Sequence, residues 1–340
     1  MSLDELKPTL AKISRGEILS VAEAEAAFTL VMGGKATPAQ VGALLMGLRV
    51  RGEATDEIRG AATAMRQRMI SIASPPGTMD IVGTGGDNSS IYNVSTASCL
   101  VVSACGIPVA KHGGRSVTSS SGASDVLEAL GVNLQADFKN VEALLSRDGI
   151  AFLPAPRHHP AMKINAPIRQ EIGTRTIFNL LGPLTNPAGA QRHLIGVYDR
   201  RWLVPFAEVL RELGSDAAWI VHGSDGLDEV TTTGPTYVAE LKNKQIRTFE
   251  IHPEEAGLFT SRPDELKGGD PTTNAAAMKA LLAGAQNAYR NIVLFNAAAA
   301  LMVADKVTTL REGAELARQA IDSGKARLVL EQLVRATNEI

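Results

Sequence analysis

The sequence predicts a two-part protein, a smaller all-helical module joined to an α/β domain with a largely parallel central sheet. Three observations carry this. From the start to about Ile70 every apolar pattern has helical spacing, with no strand signal between the helices. Beyond Ser74-Pro75-Pro76-Gly77, short apolar strands alternate with helices in a βαβ rhythm. The first two of those strands each run into a glycine-rich turn, as ligand loops do at the carboxyl ends of parallel strands. A chain of 340 residues also exceeds the size at which single cores stop growing.

In chain order, Ser20 with Glu23 forms one capping-box pair, and Thr37 with Gln40 forms another, with Pro38 at the first helical position. Thr55 is the expected cap of a third long helix. Met79 to Val82 reads as a strand, Ser95 to Cys105 as a helix and Ile107 to Ala110 as the next strand. A helix from Ser124 stops before Gly131, a helix from Phe138 to Ser146 is capped by Asp137, and Ile150 to Leu153 returns as a strand. From Ala155 to Pro187 the alternation stops, and this proline-interrupted, basic segment is expected to detour into the helical module. The expected division is therefore 1–72 with about 163–190 for the helical part, and 73–162 with 191–340 for the α/β part. Strands resume at Leu194 to Val197, Trp219 to Val221 and Tyr237 to Glu240. Helices are expected at Trp202 to Leu213, Asn274 to Ala283, Asn287 to Ala304 and Leu310 to Ser323.

Composition narrows the function classes. Basic and acidic side chains number 34 and 36, and the net charge of −2 argues against a dedicated nucleic-acid surface, so any phosphate recognised belongs to a small molecule. Cys99 and Cys105 fall on different faces of one helix and read as buried small apolar groups, consistent with a reducing cytoplasm. The amino-terminal MSLDELKPTL lacks the apolar core of a signal peptide, and the apolar run around Phe295 to Ala304 is too short to span a bilayer.

Chemistry concentrates in a few segments. Pro108 to Asp125 gathers Lys111, His112 and Arg115 with glycines and hydroxyls between a strand and a helix; it reads either as a flexible connector or as an anion cradle of backbone N–H groups, hydroxyls and cations. The upstream turn Gly83-Thr84-Gly85-Gly86-Asp87 lets backbone approach an anion, yet it is neither a dinucleotide fingerprint nor a Walker A loop. Asn93 to Thr96, where a helix begins, either caps that helix or binds phosphate or metal. Asp228 and Glu229, after a strand, either form a solvated acidic loop or suit Mg²⁺, which takes few protein oxygens. His158 and His159 have no partners at zinc-ligand spacing. Arg169, Glu171 and Arg175 form either an intrahelical ion-pair ladder or a fork for a substrate carboxylate.

Taken together, Asp80 to Asp87, Asn93 to Thr96, Lys111 to Ser116, Ser121-Gly122, the run Arg175 to Pro187 and Gly226 to Glu229 resemble the anthranilate phosphoribosyltransferases over nearly the whole chain. The resemblance implies the type III nucleoside phosphorylase/phosphoribosyltransferase-like fold, a homodimer joined through the helical parts and a role in tryptophan synthesis. It implies phosphoribosyl pyrophosphate on Gly83, Gly86, Asp87, Asn93, Val94, Ser95, Thr96, Lys111, His112, Gly113, Gly114, Arg115, Ser116, Val117, Thr118, Ser119 and Ala123. It implies anthranilate on Gly83, His112, Gly114, His159 and Arg169, with Mg²⁺ on Ser95, Asp228 and Glu229. Lys111, Asp228 and Glu229 are then the catalytic residues. Two positions depart from the family pattern: Gly114 where asparagine is usual, and Ile91 where a hydroxyl is usual. The alternatives within the same fold are a pyrimidine nucleoside phosphorylase and a non-catalytic nucleic-acid-binding relative.

Overall fold

The computed structural model describes residues 4–86, 89–115 and 120–339. Its helical part is built from α1 (Lys7–Ser14), α2 (Val21–Met32), α3 (Pro38–Arg51) and α4 (Thr55–Arg66). Both expected capping boxes are present, at Ser20 and Thr37. Thr55 does not cap α4; it is the first helical residue, and the Ala54 N–H is held instead by the Glu57 carboxylate at 2.9 Å. Glu57 is fully buried because it serves several partners, also accepting Leu19 N–H at 2.9 Å and pairing with Arg51. α2 and α4 touch closely at Gly60, where a Cβ would sit 2.4 Å from the Val21 carbonyl oxygen.

The α/β part follows in the order β1 (Met79–Gly83), α5 (Val94–Ala104), β2 (Val109–Gly113), α6 (Ala123–Ala129), α7 (Phe138–Asp148) and β3 (Ile150–Pro154). The detour contains α8 (Ala155–His158), α9 (Met162–Ile172) and α10 (Phe178–Leu181). Then come β4 (Arg192–Gly196), α11 (Leu203–Glu212), β5 (Ala217–Gly223), β6 (Thr236–Lys242) and β7 (Gln245–Ile251), and finally α12 (Pro271–Leu282), α13 (Ala288–Val303), α14 (Leu310–Asp322) and α15 (Lys325–Asn338). The strands form one seven-stranded sheet in the order β3-β2-β1-β4-β5-β6-β7. β1 to β5 run parallel, while β6 and β7 add an antiparallel hairpin at one edge. β1 leads to β2 on one side and pairs with β4 on the other, so strand order reverses there. That is the switch point outside which open α/β sheets bind ligands.

Side chains alternate across the sheet with the period of two that a strand imposes. Leu194, Ala217, Trp219 and Val221 join the large core formed with α5 and α12 to α15, whereas Ile195, Ala218 and Ile220 join the opposite core. That second core also contains Phe206 of α11, Phe28 and Leu44 of the helical part, and Ile177, Phe178 and Leu184 of the detour. The detour thus packs with both parts, and Phe28 meets Phe178 edge to face at 5.7 Å.

Two elements escaped the sequence reading. β7 pairs with β6 through Asn243 and Lys244, both at positive φ, a primed hairpin turn without the glycine that usually announces one. α15 begins after Gly324 at φ +77, with no side-chain cap to mark its start.

Candidate active site

The carboxyl ends of β1, β2 and β5 converge on a cavity of about 270 Å³. β1 delivers Gly83 to Gly86, and Gly85 and Gly86 take φ of +64 and +80, values that cost glycine little. β2 delivers Lys111 to Arg115, and the loop after β5 delivers Asp228 and Glu229. Gly83 and Gly196 are glycines because the acidic loop crosses them: a Cβ at Gly83 would lie 2.3 Å from Asp228 Oδ2, and one at Gly196 would lie 1.6 Å from the Asp228 carbonyl oxygen.

The acidic pair is held in place, not solvated. Asp228 is buried, and its Oδ2 accepts the Gly85 N–H at 2.7 Å. Glu229 Oε1 accepts the Ser95 N–H at 3.1 Å. Lys111 is also buried, and its ammonium donates to the Ile81 carbonyl at 2.7 Å and to Ser95 Oγ at 3.1 Å. Ser95, Lys111 and Glu229 therefore form one connected network in the cavity wall.

The start of α5 departs from the capping reading. Asn93 stands at its N-cap but makes no capping bond; its side chain bridges Ser121 and Asn274. The Val94 N–H donates to the Tyr92 carbonyl and the Ser95 N–H to Glu229, so these two donors are already used. Asn93, Val94 and Ser95 line the cavity and Thr96 lies buried behind them.

Beneath the second turn, Asp80 accepts the His112 N–H at 3.2 Å and the Asn186 amide at 2.7 Å, and Asn186 also donates to the Ala110 carbonyl at 2.8 Å. Burial raises the Asp80 carboxyl to about 6, its bond from Asn186 opposing. Burial also lowers His112 to about 3, so its imidazole is neutral. Its Nδ1 lies 3.1 Å from the Gly182 carbonyl and therefore carries the proton, leaving Nε2 as a buried acceptor with no protein partner among the described residues. The His159 ring stands 5.0 Å from that of His112 and is lowered to about 4, again by burial.

Among the expected anion ligands, Gly83, Gly86, Asn93, Val94, Ser95, Lys111, His112, Gly113, Gly114, Arg115 and Ala123 line the cavity. Arg115 is turned toward Asp125 and Glu128, at 2.6 and 2.8 Å. Asp87 and Ser116, Val117, Thr118 and Ser119 lie outside the described residues. His159 and Arg169 do not line the cavity; Arg169, on α9, packs its guanidinium 5.5 Å from the Phe178 ring centre. The ladder reading fails, because Gly173 ends α9 before Arg175 and no ion pair joins Arg169, Glu171 and Arg175 among the described residues. His158 instead turns to Phe138 and to the Ile70 carbonyl. Sequence reasoning did not assign Thr84, Ser90, Tyr92, Ser121 or Asn179, all of which line the cavity. Asn179, whose Oδ1 accepts the Thr176 N–H at 3.1 Å, was visible only inside the motif that contains it.

Residues 7–69 match the model of the glycosyl transferase family helical bundle domain, and residues 75–327 match that of the same family's a/b domain. Anthranilate phosphoribosyltransferase from Azospirillum brasilense is 59% identical over 336 residues, covering 99% of this chain and 94% of that protein. The enzyme of that name from Paramagnetospirillum magneticum is 57% identical over 338 residues, with 99% and 98% covered. In structure, the Thermus thermophilus anthranilate phosphoribosyltransferase superposes with a TM-score of 0.92 at 41% identity, covering 97% of this chain and 99% of that one. The Saccharomyces cerevisiae enzyme in complex with PRPP and Mg gives 0.90 at 28% identity, covering 99% and 100%. All four carry the name anthranilate phosphoribosyltransferase. With such likeness along its whole length, and glycine turns, lysine and acidic pair gathered at one switch point, the chain belongs to the anthranilate phosphoribosyltransferase family.

Proposed function

We propose that this protein transfers the phosphoribosyl group of phosphoribosyl pyrophosphate to the amine of anthranilate, giving N-(5-phosphoribosyl)anthranilate and pyrophosphate in tryptophan biosynthesis. The observation that carries this reading is the meeting, around one cavity, of two glycine turns, the Lys111 ammonium and the Asp228–Glu229 pair. The amine nitrogen bonds to C1 of the ribose as the bond from C1 to the pyrophosphate oxygen breaks. The electron pair leaves with pyrophosphate, and the amine proton passes to solvent. Aromatic amines are unprotonated at neutral pH, so departure from an oxocarbenium-like centre is the demanding step.

Lys111 has three ammonium protons and uses two on Ile81 and Ser95, which leaves one for a phosphate oxygen. His112 Nε2, on a neutral ring and with no partner among the described residues, is a buried acceptor beside the cavity. Two carboxylates and the Ser95 hydroxyl are hard oxygen donors that fit Mg²⁺. Mg²⁺ takes few protein ligands and shares substrate phosphates. When bound there, Mg²⁺ neutralises charge on the leaving pyrophosphate. Arg169 is assigned the anthranilate carboxylate. A homodimer through the helical parts fits the exposure of Val50 on α3, at 80%, and of Ile18, at 57%. A cytoplasmic location suits two unpaired thiols, and among the described residues no helix is long and apolar enough to cross a membrane.

Loss of anthranilate fluorescence is the test, and it should require phosphoribosyl pyrophosphate and Mg²⁺ together. No loss with all three present would reject the activity. Within an active enzyme, Arg169→Ala should raise the anthranilate KM about ten- to a hundred-fold, for a lost charge-assisted bond of roughly 1.5–3 kcal/mol, and leave the phosphoribosyl pyrophosphate KM nearly unchanged. Equal weakening of both substrates would return Arg169 to a packing role on Phe178.

A further inference from the structure

The first glycine turn is held from behind by a side chain that does not reach the cavity. Arg175 lies with its guanidinium carbon 4.1 Å from the centre of the Tyr198 ring. Its other face covers Gly86, where a Cβ would come within 2.7 Å of Arg175 Nε and 2.8 Å of Nη2. The Tyr198 ring is itself fixed, since its hydroxyl accepts the Trp202 Nε1–H at 3.1 Å. Tyr198 also reaches the turn through its backbone, donating its N–H to Thr84 Oγ1 at 3.1 Å, while the Thr84 N–H donates to the Gly196 carbonyl at 2.9 Å. Trp202, Tyr198, Arg175 and Gly86 thus form a continuous stack from the start of α11 to the turn. Arg175 makes no ion pair and no hydrogen bond with any described residue.

We infer that Arg175, backed by Tyr198, is a positioning residue that sets the Thr84–Gly86 turn for the anion it binds. The cation stacks on an aromatic face, which holds its plane in a fixed orientation. That guanidinium crowds a Cβ at position 86, and Gly86 takes φ +80, which favours glycine, so residue and turn are set together. The guanidinium also places a positive charge against the turn. A displacement of about 1 Å in such a turn is enough to cost on the order of a hundred-fold in turnover.

The inference rests on the reading of the cavity as a phosphoribosyl pyrophosphate site, and calorimetry of the unsubstituted protein with that compound and Mg²⁺ tests the reading separately. Absence of binding there rejects the reading. With binding established, Arg175→Ala should raise both the dissociation constant and the KM for phosphoribosyl pyrophosphate by at least about ten-fold, with the anthranilate KM within two-fold. Tyr198→Leu should show the same pattern more weakly, and Tyr198→Phe, which keeps the ring, should stay within about two-fold of the parent. The double substitution of Arg175 and Tyr198 should be no worse than Arg175→Ala alone, because the ring acts through the arginine. An unchanged phosphoribosyl pyrophosphate constant in Arg175→Ala, or a parallel rise in the anthranilate constant, would overturn the inference. If Arg175→Ala does not fold, Tyr198→Leu against Tyr198→Phe carries the same comparison: equal constants for phosphoribosyl pyrophosphate would overturn it.

Discussion

Glu229 and Asp228 are neighbours with different settings, and their substitutions should separate. Glu229 is half-buried and its Oε1 accepts the Ser95 N–H, whereas Asp228 is buried and packed over Gly83 and Gly196. Glu229→Gln retains an oxygen for Ser95 and removes the charge. The Mg²⁺ concentration for half-activation should therefore rise about ten-fold or more, with thermal stability changed by less than about 1 kcal/mol. Asp228→Asn should lose metal response and also some stability, since a buried group has been altered. Identical Mg²⁺ titrations of Glu229→Gln and parent would remove Glu229 from the site. At this scale the sequence was informative wherever a residue type is scarce for a physical reason: glycines where backbone crowds, a lysine and acids where charge is needed. It was silent on Asp80 with Asn186, and on Arg175 with Gly86, since those partners are far apart in the chain and only the fold brings them together.

Among elements, the helices were legible through their caps. Ser20, Thr37 and Asp137 accept the N–H bonds expected of them, and Thr55 is the exception. α12 starts at Pro271, ahead of the expected Asn274, because Asp270 caps it through Thr273 N–H at 2.7 Å. What the periodicity did not disclose is how closely helices approach. Gly60→Ala would push a methyl against backbone of α2, with Val21 O at 2.4 Å and Glu25 N at 2.8 Å. It should destabilise the protein by about 1–3 kcal/mol, as overpacking does. Gly47→Ala meets no backbone, only Ile13 Cγ2 at 2.6 Å, which a small shift of α1 relieves more readily than rotation of that β-branched side chain. Urea unfolding of the pair checks this: equal midpoints would mean that the α2–α4 contact yields as readily as α1.

For the whole molecule, buried titratable groups set the response to acid. His112, His159 and His193 are depressed to about 3, 4 and 3 from an ordinary 6.5, in each case first by burial. Between those values and 6.5 the unfolded chain binds more protons than the folded one, so stability falls as pH drops through that window. Asp80 has the opposite sign. Its carboxyl, raised from 3.8 to about 6, binds more proton when folded, which favours the fold as pH falls through 6 toward 4. Three groups outweigh one, each histidine contributing up to ~1.4 kcal/mol per pH unit. The urea midpoint should therefore be lower at pH 5 than at pH 7.5, and His193→Gln should flatten that slope; a flat or inverted profile in the parent would contradict the burial of these rings.

The sheet that carries the site also silences the chain's two thiols. Cys99 is buried against the Ile81 carbonyl, the same oxygen that receives the Lys111 ammonium, and burial pushes its thiol to about 12; Cys105 is held at about 11. A thiol reagent needs a thiolate in contact with solvent, and the folded molecule offers it neither. Alkylation of Cys99 then becomes a clock for transient opening of the layer directly under Lys111, and a ligand that ties that layer shut slows the clock by a factor that rises with its concentration over its Kd.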